Sequence, residues 1–192
     1  GGGDEDVVNN MFVASTHDNL LCFTDQGRVF KIKVYELPEL GRTSRGRAIQ
    51  NYIQLRKDER TCAYCTVRDF ESGSQNLFFV SKGGIVKRTP LKAYANVNKS
   101  GLIAVGLKEG DAMFDVRLTS GNDDIILVTS AGMAIRFNEH EDRGGLRDMG
   151  RGAAGVKGID LADGLEIIGT AVIPMEPKGD DKDDWEGQLV SK

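Results

Sequence analysis

The hydrophobic pattern of this chain repeats three times. Each copy has a short apolar segment, a polar turn that ends in glycine, and a second segment with a cationic residue four places after that glycine. The copies are LCFTDQGRVFK at 21–31, FFVSKGGIVKR at 78–88 and ILVTSAGMAIR at 126–136. A recurrence of about fifty residues indicates stacked or radially packed units, because one unit cannot bury its apolar face alone. The pattern therefore predicts an array of β blades.

Two positions are in register across the copies. The turn glycines are Gly27, Gly84 and Gly132, and the cations are Lys31, Arg88 and Arg136. We expect the glycines to have positive φ, as tight hairpin turns require. In FKIKV, apolar residues alternate with Lys31 and Lys33, which predicts a strand with one buried face. By register, all three cations are predicted to face outward.

A second glycine follows each hairpin after 17 to 23 residues. It lies in SRGRAIQN around Gly46, in KSGLIAVGL around Gly101 and in AAGVKGIDL around Gly155. An alternating apolar segment follows each one, and the loops between the two glycines are rich in charge. Long loops on a rigid β frame commonly carry binding residues. The short continuous apolar runs FFVS and IILVT predict strands buried on both faces. We predict an all-β fold with no helix longer than about two turns.

Length and composition are typical of a soluble protein. The 192 residues are 40% hydrophobic, enough for a sizeable core. No run approaches the ~20 apolar residues of a membrane helix, and GGGDEDVVNN lacks the features of a signal peptide. Three cysteines do not form a secreted disulfide framework. We expect a cytosolic protein with blades over 1–173 and an acidic linker or insertion, mobile in solution, over 174–192.

Charge is distributed unevenly. The formal net charge is −4, but residues 11–160 hold 22 basic and 18 acidic residues. The excess of acids lies at the two ends, in DEDVV and around KGDDKDDWEG. A mildly cationic body can bind a polyanion, because the local field matters more than the net charge.

The two glycine motifs together resemble those of a known family. LLCFTDQGRVFKIKVYELPELGRTSRGRAIQN, SGLIAVGLKEGD and MGRGAAGVKGIDLADG resemble the repeats of the C-terminal domain of the DNA gyrase A protein, over about residues 7–173. The resemblance implies a β-pinwheel of four-stranded blades whose outer rim wraps duplex DNA. A full pinwheel has about six blades, so three blades imply a partial one. The family's basic box, of the type Gln-Arg-Arg-Gly-Gly-Lys-Gly, is absent.

The resemblance also implies partners and a location. In the family, wrapping supports negative supercoiling by an ATP-dependent holoenzyme, so ATP and Mg²⁺ belong to that holoenzyme and no cofactor is expected in this chain. The implied partners are duplex DNA, the gyrase B protein and a second gyrase A protein, with no membrane. The implied location is the bacterial cytoplasm, in association with the nucleoid.

Regularly spaced cations suit a wrapped duplex, because phosphate contacts give affinity through counterion release and need no base reading. Strand cations can instead protect sheet edges against aggregation. The candidate DNA-binding residues are Arg28, Lys31, Lys33, Arg42, Arg45, Arg47, Lys87, Arg88, Lys92, Lys99, Arg136, Arg143, Arg147, Arg151 and Lys157.

Two other functions compete with this interpretation. The gyrase A-like component of topoisomerase IV carries a related, often more degenerate pinwheel. A propeller-like scaffold would bind a partner protein through its loops. A DNA wrapper should bind with steep salt dependence and little sequence preference, whereas a scaffold should ignore duplex DNA.

Catalytic chemistry has little support. Cys62 and Cys65 form a CxxC, but four zinc ligands cannot be assembled around it, and both are interpreted as structural. His17 and His140 stand apart in separate loops, and GGLRDMGRG lacks the lysine of a nucleotide-binding loop. The four tyrosines are interpreted as packing residues. Catalysis is expected to lie outside this chain.

Overall fold

The computed structural model describes residues 18–34, 49–71, 73 and 75–175, and these form three antiparallel sheets. The strands are β1 (Asn19–Thr24), β2 (Arg28–Lys33), β3 (Thr61–Val67), β4 (Asn76–Ser81), β5 (Ile85–Pro90), β6 (Leu102–Ile103), β7 (Met113–Thr119), β8 (Asp124–Thr129), β9 (Ala134–Asn138), β10 (Val156–Lys157) and β11 (Ile167–Ile173). In the described residues, helical structure is limited to a turn at 49–51, 3₁₀ conformation at residue 34, and the 3₁₀ segments Leu91–Tyr94 and Glu141–Arg143. None of these helices has the length and apolar character needed to cross a membrane.

Each sheet is one blade, built on one of the three hairpins. The strand orders are β3-β1-β2-β6 in blade 1, β10-β5-β4-β7 in blade 2 and β11-β8-β9 in blade 3. The third strand of each blade, β3, β7 or β11, follows its hairpin along the chain. The fourth strand, β6 or β10, comes from the region after the next hairpin and therefore joins successive units. The all-β prediction with about three blades is confirmed.

The hairpin turns share one geometry, which their sequence dictates. Gly27, Gly84 and Gly132 have φ of 81°, 85° and 79°, as predicted. In the first turn, the Gly27 amide donates to the Thr24 carbonyl at 3.0 Å, and the Thr24 hydroxyl accepts from the Arg28 amide at 3.2 Å. Ser81 and Thr129 make the same pair of contacts in the other two turns. The hydroxyl satisfies a backbone donor that the turn would otherwise leave unpaired.

The second glycine motif closes the preceding blade. Gly101 and Gly155 lead into β6 and β10, and three residues later the amides of Ala104 and Gly158 donate at 2.8 Å to the carbonyls of the previous hairpin glycines. At Gly155 a side chain would collide with the Val86 carbonyl oxygen, so glycine is required by close approach as well as by its φ of 96°. Gly46 lies outside the described residues.

Apolar cores fill the spaces between blades. Leu21, Phe23 and Val29 of blade 1 pack with Leu77 and Phe79 of blade 2. The opposite face of blade 2, with Phe78 and Val86, packs on Ile125 and Leu127 of blade 3. The far face of blade 1 is covered by Ile49 and Ile53.

Burial on both faces was predicted for FFVS and IILVT, and only the first prediction is correct. Every residue of β4 is buried, because blade 2 lies between two other blades. In β8, Ile126 and Val128 are half-buried, because no further blade covers this face in the described part of the chain. β11 ends at Ile173, and residues 176–192 lie outside the described residues, so the predicted boundary at 173 and the acidic linker over 174–192 stay predictions.

Candidate nucleic-acid interface

The three in-register cations do not all face outward. Arg88 is buried at 6% exposure and Lys31 is half-buried, whereas Arg136 is exposed. The outward prediction is therefore wrong for Arg88 and inaccurate for Lys31. It assumed a sheet with one solvated face, but a blade between two neighbours has both faces covered, and residues on either face meet protein.

Arg88 lies in a network of buried polar groups. Its guanidinium donates to the carbonyls of Gly121 at 3.2 Å and Glu139 at 3.1 Å, and its Nε lies 3.1 Å from an Asp148 oxygen. The Glu139 carboxylate is also fully buried, and burial raises its pKa despite hydrogen bonds from the Thr119 hydroxyl and the Asp123 amide. Arg88 is thus buried and anchored to backbone carbonyls, and it is not presented to solvent.

Lys31 is also occupied by protein groups. Its Nζ donates to the Ala95 carbonyl at 2.6 Å and lies 5.5 Å from the centre of the Phe70 ring. Arg136, the third cation in register, instead pairs with Asp124 in its own blade, with Nε and Oδ2 2.7 Å apart.

Lys87, another candidate, is fully buried. Its Nζ donates to the carbonyls of Ala104 at 2.7 Å, Arg151 at 2.6 Å and Gly150 at 3.3 Å. Burial, with a smaller contribution from the Arg151 charge, lowers the pKa of Lys87 to about 8. As in the case of Arg88, this side chain is not presented to solvent.

Two further strand candidates differ in exposure. Arg28 is half-buried, with its Nε 3.2 Å from a Glu59 oxygen and its guanidinium 4.7 Å from the centre of the Phe30 ring. Lys33 is exposed at the end of β2.

The exposed candidates lie mainly on the connections between blades. We call residues 91–101 the second connecting loop and residues 139–155 the third. Arg42, Arg45 and Arg47 fall outside the described residues. The exposed cations, which we call the loop cations, are Lys92 and Lys99 in the second loop, Arg143, Arg147 and Arg151 in the third, and Lys157 directly after it.

Two of the loop cations, Arg147 and Lys157, make weak surface ion pairs. Arg147 lies 3.9 Å from Glu141, and Lys157 lies 3.2 Å from Asp160, with all four side chains largely exposed. Such surface pairs contribute about 0–1 kcal/mol, so a phosphate can replace the carboxylate at little cost.

A groove of about 420 Å³ lies where the two connecting loops meet. Lys92 of the second loop lines it together with His140 and Asp148 of the third, and Arg88 and Asn76 also contribute. The groove therefore places a loop cation of one unit beside the loop of the next unit.

The sequence did not lead us to expect the burial of Lys87, and it did not single out a group of exposed lysines. Lys57, Lys82 and Lys108 are exposed near the hairpin turns, at the opposite end of the strands from the start of the connecting loops. The buried position of Lys87 did leave a signal, because the same register holds Phe30 and Ile135 in the other copies. A cation at an otherwise apolar repeat position indicates an internal role.

The cysteines and the described histidine show no sign of reactive chemistry. Cys22, Cys62 and Cys65 are free thiols, and burial raises the pKa of all three, that of Cys65 to about 12. His140 Nδ1 accepts from the Asp142 amide at 3.1 Å and caps a short 3₁₀ segment. The described residues contain no cluster of three or more potential metal ligands.

Similarity to known proteins matches this architecture. The protein-family model for the DNA gyrase C-terminal domain, a β-propeller, matches residues 18–61, 75–120 and 123–174. These segments correspond to the three units of the structure.

Gyrase A proteins are similar to this chain over most of its length. The chain is 46% identical over 173 residues to the DNA gyrase A protein of Staphylococcus epidermidis, covering 90% of this chain and 19% of the relative. With the gyrase A protein of Staphylococcus aureus (strain MRSA252) the identity is 44% over 169 residues, covering 88% and 19%. The chain thus spans about a fifth of the length of these relatives.

Solved structures show the same fold. A crystal structure of the C-terminal domain of DNA topoisomerase IV aligns with a TM-score of 0.73 and 36% identity, covering 83% of this chain and 48% of that one. A DNA gyrase A C-terminal domain aligns with a TM-score of 0.64 and 22% identity, covering 83% and 49%. The chain belongs to the DNA gyrase A C-terminal domain family.

Proposed function

We propose that this chain binds and wraps duplex DNA through its loop cations, as part of a gyrase A protein that supports ATP-dependent negative supercoiling. ATP, Mg²⁺, the gyrase B protein and a second gyrase A protein belong to the whole enzyme. The proposed site of action is the bacterial cytoplasm, at the nucleoid. Family membership and the excess of basic residues between 11 and 160 support this proposal.

The observation that carries the proposal is the partition of cations. Lys87 and Arg88 are buried by protein contacts, whereas the loop cations are exposed and occur on successive connections. Exposed cations at intervals along a surface give affinity by releasing counterions and require no contact with base edges. The loop cations thus replace the strand cations as the proposed phosphate ligands.

Salt dependence of binding tests the proposal. Fluorescence anisotropy with duplexes of several sequences should give similar affinities, and log affinity should fall with log salt with a slope of about −4 to −5 if four to six phosphates are contacted. Affinity for a partner protein with no salt-dependent duplex binding would instead favour the scaffold function.

A component of topoisomerase IV is the second candidate within the family, favoured by the 36% identity to a topoisomerase IV C-terminal domain. Identities of 44–46% to gyrase A proteins favour gyrase. The complete enzyme distinguishes them, since a gyrase introduces negative supercoils into relaxed plasmid in the presence of ATP and topoisomerase IV does not.

A further inference from the structure

In blades 1 and 2, the cation four residues after the hairpin glycine contacts the unit that follows. Lys31 of blade 1 donates to the carbonyl of Ala95, in the second connecting loop. Arg88 of blade 2 donates to the carbonyl of Glu139, at the start of the third connecting loop. Both bonds join a strand of one blade to the backbone of the next connection.

Lys87, on the other face of β5, also contacts the third connecting loop. Its Nζ bonds the carbonyls of Gly150 and Arg151, while Arg88 pairs with Asp148 and its carbonyl accepts from the Met149 amide at 2.8 Å. Four successive residues, 148–151, are therefore held by two successive residues of one strand. The segment continues along the edge of β5 into β10.

The energetics make the cation and the loop depend on each other. A buried ammonium is costly unless its hydrogens are bonded, and Lys87 meets carbonyl oxygens rather than a carboxylate. Those carbonyls in turn gain a charge-assisted donor, which is stronger than a neutral one. If the third connecting loop moved away, the Lys87 ammonium would lose the carbonyl acceptors of Gly150 and Arg151.

We propose that Lys31, Lys87 and Arg88 are positioning residues, which fix the second and third connecting loops so that the loop cations are presented in a preformed arrangement. The benefit for DNA binding rests on the proposed function above, whereas the fixing of the loops does not. Preorganisation raises affinity because the ordering cost is met before the ligand arrives.

Hydrogen exchange of the free protein tests the fixing of the loops. In a Lys87→Met variant, the amides of Met149 and Ala153 should exchange at least about tenfold faster, while those of β1 and β2 stay unchanged. Arg136→Met is the matched control, because Arg136 holds the register position of Arg88 without contacting a connecting loop in the described residues. Unchanged exchange at Met149, or uniform loss of protection, would overturn the proposal.

A second variant keeps the test decisive if Lys87→Met fails to fold. Lys31 is half-buried, so Lys31→Met should fold and should accelerate exchange at Ala95 and Gly101, whose amides bond within the second connecting loop. Equal exchange in this variant and the parent would refute the positioning role of Lys31.

Measurements of duplex binding distinguish a positioning role of Lys87 from direct contact with phosphate. Lys87→Met should lower the affinity for every duplex about fivefold to tenfold. The slope of log affinity against log salt should stay unchanged, because the phosphate contacts remain and only the cost of ordering the loop rises. Loss of a direct phosphate ligand, as in Arg147→Gln, should instead reduce the slope by about 0.9. A reduced slope in Lys87→Met would contradict the positioning role. If the parent chain binds no duplex, the proposed function fails while the exchange result stands.

Discussion

At the scale of single residues, burial separates cations that the sequence presents as equivalent. Lys87 and Arg88 are neighbours in β5 and leave the sheet on opposite faces, yet both are covered because blade 2 has a blade on either side. Lys87 and the Arg88 guanidinium donate to backbone carbonyls, and Arg88 also lies 3.1 Å from the Asp148 carboxylate, which together offset part of the cost of removing charge from water.

The buried ammonium of Lys87 predicts a specific pH dependence. Its pKa falls from 10.5 in the unfolded chain to about 8 in the folded one. Between these values the unfolded state binds more protons, so the free energy of unfolding should rise with pH, on the order of 1 to 3 kcal/mol in total. Chemical denaturation of the parent and of Lys87→Met from pH 7.5 to 9.5 measures the difference.

Two other groups near Lys87 bear on this measurement. The Arg151 charge contributes to the lowered pKa of Lys87, and the Tyr94 hydroxyl donates to the same Ala104 carbonyl. Burial raises the pKa of Tyr94 above its usual value, so its titration lies above the pH range used. A parent and variant with parallel stability curves would show that Lys87 does not titrate in this window.

At the scale of elements, the hairpins and their glycine turns could be predicted from sequence, because alternation and turn chemistry are local. The strand exchange through β6 and β10 could not, because each is a two-residue strand, too short for a periodic signal, and each pairs with a strand of the preceding unit. The orientation of Lys31 and Arg88 also depended on neighbouring blades. Exposure of the loop cations could be predicted because they lie in polar connections, whereas burial of Lys87 and Arg88 could not; the role of the loop cations in DNA binding stays a prediction.

Glycine substitutions measure the link between units. Gly27 and Gly132 occupy the same turn position with φ near 80°, so an alanine at either should cost about 1 to 2 kcal/mol of stability. At Gly27 a Cβ would also lie 2.9 Å from the Val105 carbonyl oxygen of the next unit, whereas at Gly132 it would meet no atom of the described residues within 4 Å. Gly27→Ala should therefore destabilise the fold by about a further 1 to 3 kcal/mol, measured by urea denaturation. Equal costs would mean that the turn yields without disturbing the neighbouring unit.

At the scale of the whole molecule, charge is divided between a cationic body and an acidic terminal segment that lies outside the described residues. We predict that the tract from Glu176 to Glu186 competes with DNA for the loop cations, because tethering gives it a high effective concentration. Deleting residues 176–186 should raise duplex affinity at low salt. The gain should shrink at physiological salt, where the screening length is about 8 Å.

A charge-neutral variant controls for chain length. Changing Asp180, Asp181, Asp183 and Asp184 to Asn keeps the tract but removes most of its charge, and should reproduce the gain in affinity. If both variants bind duplex DNA as the parent does, the tract acts only as a solubilising segment.

The most direct test of the account compares two triple variants of equal charge. Lys92→Gln, Arg143→Gln and Arg147→Gln together remove loop cations, while Lys57→Gln, Lys82→Gln and Lys108→Gln remove exposed cations near the hairpin turns. Duplex affinity is measured across a salt series for both. The loop variant should bind all sequences more weakly, with a slope reduced by about 2.7, while the hairpin variant keeps nearly the parent slope. An equal loss in both variants, or a loss confined to the hairpin variant, would contradict the assignment of DNA binding to the connecting loops.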